Sequence, residues 1–103
     1  MPEMDTKTRK RLRQIAHHLD PIVSVGEHGL SDALVAEANR ALADHELIKV
    51  KVQSPDRTER ADISATLASR CEALVIQKIG KMVILFRANP DAKPALSNLS
   101  RFA

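Results

Sequence analysis

Pro21-Ile22-Val23-Ser24-Val25-Gly26-Glu27-His28-Gly29-Leu30-Ser31-Asp32 is the stretch from which the fold can be read. Ile22 to Val25 is a β-type run. Asp20-Pro21 ahead of it closes a preceding helix, because the residue before proline avoids the α region. Gly26 and Gly29 bracket a loop whose backbone can turn tightly and approach a partner with no Cβ in the way. Ser31 is a good N-cap for the helix that follows, and Leu30 and Val35 occupy the staple positions around it. Strand, glycine loop and helix in that order begin an α/β unit. The helix start turns its free N–H groups toward the loop, which suits a phosphate.

Working outward, Leu12, Ile15, Ala16 and Leu19 recur at helical spacing upstream, so a first helix is expected from Lys7 to Leu19. Lys10, Arg13 and His17 form a neighbouring stripe on it. Downstream, Leu34, Val35, Ala38, Ala41 and Leu42 give the second helix its apolar side, up to about His45. Leu47 to Val52 is the second strand: Ile48, Val50 and Val52 alternate with Lys49 and Lys51, one face buried and one cationic. Ser54-Pro55 predicts the start of a third helix that runs to about Arg70. Leu74 to Ile79 and Met82 to Arg87 are strands three and four. Gly80-Lys81 joins them as a two-residue hairpin with glycine first. Met82 to Phe86 is apolar without alternation, the pattern of a strand covered on both faces. The expected fold is α/β, in the order α-β-α-β-α-β-β, on a four-stranded mixed sheet. Helices two and three should cover one face and the basic helix part of the other. Residues 1–6 and 88–103 read as a flexible N-terminus and a flexible tail flanking a domain at 7–87.

Composition narrows the function. The chain has 103 residues, 44% of them hydrophobic, enough for one aliphatic core. Phe86 and Phe102 are its only Phe, Tyr or Trp residues. That argues against a platform that stacks bases on several aromatics. One cysteine, Cys71, excludes an internal disulfide and a cysteine zinc cluster. No signal-type or membrane-length apolar run is visible, so a cytoplasmic protein is expected. The net charge is only +3, but it is uneven: Lys7, Arg9, Lys10, Arg11 and Arg13 lie together, with no acid between Thr6 and Leu19. A basic block on an otherwise balanced chain points to a polyanion.

Four co-linear blocks carry a family resemblance. They are Lys10 to Leu19, Pro21 to Ser31, His45 to Lys51 and Gln77 to Arg87. In order and spacing the chain resembles the CRM domain, an RNA-binding module of chloroplast splicing factors and bacterial ribosome-maturation proteins. It is most similar to the free-standing bacterial YhbY-type members. The resemblance implies a fold like the C-terminal domain of bacterial translation initiation factor three, with a glycine loop of the kind that clamps nucleotide backbones in KH modules. It also implies association with ribosomal RNA in precursors of the large ribosomal subunit. Carried onto this chain, the loop is Gly26, Glu27, His28 and Gly29. The positively charged surface is Lys7, Lys10, Arg11 and Arg13 of the basic helix, with Lys49, Lys51, Lys81 and Arg87. Glu27 departs from the basic or small polar residue common at its place, and Phe86 stands where Tyr is common.

The expected function is therefore non-catalytic RNA binding in assembly of the large subunit. No cofactor, metal, membrane or small-molecule substrate is expected. Two other classes compete with it. One is an interaction module docking on ribosomal proteins or a translation factor. The other is a small enzyme acting on RNA, for which no paired carboxylates, metal ligands or nucleophile constellation speaks.

Overall fold

Strand β2 (Leu47–Val52) holds the sheet together, with hydrogen-bonded neighbours on both sides. In the computed structural model, which describes residues 4–102, it runs parallel to β1 (Pro21–Val25) and antiparallel to β4 (Met82–Phe86). Strand β3 (Leu74–Ile79) pairs with the far side of β4, giving the order β1-β2-β4-β3. The mixed four-stranded sheet expected from the sequence is thus the one that forms.

The chain crosses from β1 to β2 through helix α2 (Asp32–His45) and from β2 to β3 through helix α3 (Arg57–Arg70). Both crossovers join parallel strands and progress in the same direction across the sheet. Right-handed connections then place both helices on one face. That is where the larger core forms: Val23, Val25, Ile48, Val50, Val52, Val83 and Leu85 of the sheet pack against Val35, Ala38, Leu42, Leu67 and Ala68 of the helices. The opposite face carries a smaller core. Leu12, Ile15 and Ala16 of helix α1 (Thr6–Ala16) cover Leu47, Ile76 and Ile84. The basic helix is therefore a third, partial layer, as the sequence suggested.

Two boundaries differ from the sequence reading. Helix α3 is capped by Asp56, whose carboxylate accepts from the N–H groups of Thr58 and Glu59, and not by Ser54. The Ser54 hydroxyl instead accepts from the Asp56 N–H, so Ser54-Pro55 forms the turn that leads into the cap. Helix α1 ends at Ala16, three residues before Leu19, and begins at Thr6, inside the segment expected to be loose. Of residues 1–6, the first three lie outside the described residues. Met4 packs on the smaller core and Asp5 caps the helix by accepting from the Thr8 N–H. That bond holds the Asp5 carboxyl below its ordinary value.

The larger correction concerns the tail. The segment after β4 is anchored, and it forms a short helix, α4 (Asn98–Arg101). Asn98 is buried, and its side-chain amide donates to the Leu47 carbonyl at 2.7 Å. That carbonyl lies at the edge of β2 before β1 begins to pair. Glu46 accepts from Asn89 N–H and from the Ser97 hydroxyl, both at 2.8 Å. Leu99 and Phe102 pack on the smaller core, and the Phe102 ring stacks on His18. Proline and small polar residues made this segment look loose. Its order comes from partners more than forty positions away in sequence, which local composition does not reveal.

Asn98→Ala strands the buried Leu47 carbonyl, and such a group costs about 1–3 kcal/mol. Urea unfolding should show a loss of that size, and an unchanged midpoint would mean that the tail is not anchored there.

Candidate nucleic-acid interface

Because β1, β2 and β3 run parallel, their C-terminal ends share one edge of the sheet, where the β3–β4 hairpin tip also lies. Open α/β sheets place their ligands at such an edge. Backbone bonds lace the tips together. Gln53 N–H donates to the Val25 carbonyl at 2.9 Å, and Val52 N–H donates to the Lys81 carbonyl at 2.7 Å.

The glycine loop begins where β1 ends. Gly29 N–H donates back to the Gly26 carbonyl at 3.1 Å, closing a tight turn with Glu27 and His28 exposed at its tip. Gly29 has φ +68°, a left-handed conformation that favours glycine. No atom lies within 4 Å of where a Cβ would stand on Gly26 or Gly29, so the loop backbone faces open space. Ser31 caps α2 as expected, its hydroxyl accepting from the Leu34 N–H at 3.1 Å.

The basic residues divide into two groups. Lys7 and Lys10 are exposed on the outer side of α1, with Arg13 half-buried beside them. Lys10, Arg13, Gln14, His17 and His18 outline a shallow hollow there. Lys49 and Lys51 alternate with the buried Val50 and lie on the same face of the sheet as α1, half-buried. Lys81 is exposed at the hairpin tip, whose Gly80 takes φ +55°. The structure adds cations that spacing in sequence did not group: Arg57, Arg60 and Lys78 stand around Lys81.

The second group is committed inside the fold. Arg87 donates to the Asn39 side-chain oxygen at 2.8 Å, to the Cys71 carbonyl at 2.8 Å and to the Asn39 carbonyl at 2.9 Å. It ties β4 to α2 and to the end of α3 on the helical face, away from α1, so it is withdrawn from the cationic surface expected for it. Burial pushes the neighbouring Cys71 thiol up, against the opposing pull of Arg87 and Arg70. Arg11 donates to the Phe102 carbonyl and helps hold the tail. Arg9 donates to the Val75 and Ile76 carbonyls at 3.2 and 3.1 Å, beside an irregularity in β3. In sequence all three were simply basic residues in a basic context.

The chain is similar to known proteins in sequence and in fold. The profile of the CRS1 / YhbY (CRM) domain family matches residues 4–87. The chain is 43% identical over 95 residues to the Pseudomonas aeruginosa protein named "Probable RNA-binding protein PA4753", covering 92% of this chain and 91% of that protein. It is 39% identical over 93 residues to a Haemophilus influenzae protein named "RNA-binding protein", covering 90% and 94%. Among solved structures, hypothetical protein SAV1595 of Staphylococcus aureus superposes with a TM-score of 0.76 at 27% identity, covering 88% of this chain and 95% of that one.

Replacing Arg87 should separate structural from surface cations. Arg87→Ala removes three charge-assisted bonds and should lower stability by about 1.5–3 kcal/mol. Lys10→Ala should stay within ~0.5 kcal/mol of the parent. Equal unfolding midpoints for the two variants would show that Arg87 is not a structural tie.

Proposed function

The chain belongs to the CRS1 / YhbY (CRM) domain family, and on that premise we propose that it is a non-catalytic RNA-binding protein of the cytoplasm. Its ligand is ribosomal RNA in precursors of the large ribosomal subunit, and its role is to assist their assembly. The relatives named as RNA-binding proteins support the RNA part of this reading.

One observation on this chain carries it. Among the described residues, Lys7, Lys10, Arg13, Lys49 and Lys51 have no carboxylate within ion-pair distance. The single salt bridge among the described residues joins Arg70 to Asp32 at 2.9 Å, between the two helices of the other face. Cations that stabilise a fold usually have partners. Cations held on one side without them create a positive field that attracts a polyanion. The open glycine loop lets a nucleotide backbone come close at the sheet edge. With few aromatics to stack bases, recognition rests on phosphate contacts and RNA shape.

Electrostatic binding of this kind releases counterions. Four phosphate contacts lose roughly 100-fold in affinity between 50 and 200 mM salt. Titration of protein-free ribosomal RNA at several salt concentrations checks this, and affinity indifferent to salt would overturn it. The double variant Lys10→Ala/Arg13→Ala should weaken binding to all sequences alike and reduce the salt slope by about two, with the fold retained. Normal binding by that variant would remove α1 from the interface. Sedimentation of cell extract tests the assembly role: the protein should travel with large-subunit precursors at low salt and leave them at high salt. Its absence from every ribosomal fraction would refute that role.

A further inference from the structure

Helix α3 and the β3–β4 hairpin enclose a cleft of about 380 Å³ at the edge of the sheet. Arg57 and Arg60 project from the first turns of α3, and Lys78 and Lys81 from the hairpin. Val52 and Met82 form its apolar floor. Four cations thus converge from two elements far apart in sequence. No Asp or Glu lines the cleft, and none of the four cations takes part in a salt bridge among the described residues.

The cleft is also held in shape. The Arg60 guanidinium donates to the Ser54 carbonyl at 2.9 Å, which fixes that side chain and leaves other N–H groups free. The Lys81 carbonyl accepts from Val52 N–H, which seats the hairpin tip on β2. The Ser64 hydroxyl donates to the Arg60 carbonyl and closes the inner wall. The N-terminus of α3 already has the Asp56 carboxylate as its cap and Glu59 in its first turn, so the four cations, and not the helix dipole, make the cleft attractive to an anion. A bound anion would face all four cations, none of which has an acidic partner among the described residues.

We propose that this cleft is a phosphate-binding subsite for RNA, separate from the α1 surface, in which Arg57, Arg60, Lys78 and Lys81 grip one phosphate group. The inference rests on the RNA-binding reading and extends it to a second contact. At about 380 Å³ the cleft has room for a phosphate together with its ribose. Val25 is bonded to Gln53 and Val52 to Lys81, so two strand spacings, roughly 10 Å, separate the glycine loop from the hairpin tip. One RNA strand laid along the edge can reach both.

The test uses the full chain and the double variant Arg57→Gln/Lys78→Gln, both exposed positions outside the internal bonds of the cleft. Binding to a ribosomal RNA fragment should fall at least fivefold, and the salt slope should drop by up to about one, the share of a single phosphate, relative to the parent. Amide signals of Gly80, Lys81 and Ala61 should shift on adding RNA to the parent protein. The same fragment with and without a 5′-phosphate separates the two sources of the group. Equal affinity of the parent for both forms assigns the cleft to an internal phosphodiester. Tighter binding of the phosphorylated form, lost in the variant, assigns it to a chain end. A folded variant with the parent's affinity and salt slope overturns the subsite while RNA binding stands. A parent protein that binds no RNA overturns the RNA reading and this inference together.

Discussion

The central place of β2, buried on the helical face and paired along both edges, is the constraint on which the molecule depends. Leu47, Ile48, Val50 and Val52 are all essentially inaccessible. A strand in the middle of a sheet must have its buried backbone groups paired. β1 and β4 supply most of those partners, and the tail amide of Asn98 supplies one where β1 falls short. Its parallel partner requires a crossover helix, and the preferred hand of such crossovers sends α2 and α3 to one face. The other face is left for α1, the tail and the lysines.

That division also sorts the charges. Two cations of the helical face meet partners: Arg70 pairs with Asp32, and Arg87 is spent on Asn39 and the carbonyl that ends α3. On the α1 face and along the strand-end edge, lysines and arginines stand without carboxylate partners among the described residues. Surface pairs stabilise little, so pairing there would add little to the fold. Leaving the cations unpaired keeps their field available outside. Stability and the candidate interface therefore draw on different residues, which allows either to be changed with limited effect on the other.

Most of the architecture was legible in the sequence because its signals are local. The alternation in Leu47 to Val52, the apolar run Met82 to Phe86, the Gly80-Lys81 turn and the Ser31 cap each depend on residues within one element. The loop between Gly26 and Gly29 has the conformation its glycines suggested, with Gly29 in the left-handed region. Where a local signal had a close competitor, the reading slipped: Ser54 and Asp56 both make good caps, and the helix begins after the second.

By itself the sequence determined the order of elements as far as β4, the mixed sheet, the turn at the two loop glycines and the basic character of α1. These follow from periodicity, turn chemistry and the sign of charge, all of which act over a few residues. Only the tertiary structure decided which cations face outward. Arg87 and Arg11 read like Lys10 and Lys81, yet the first two find backbone carbonyls brought to them by distant segments. Tertiary packing also decided that the tail docks and that Arg57, Arg60, Lys78 and Lys81 meet in one cleft. Whether a charge is committed to the fold or open to a partner depends on contacts between segments far apart in the chain, and no local pattern records them.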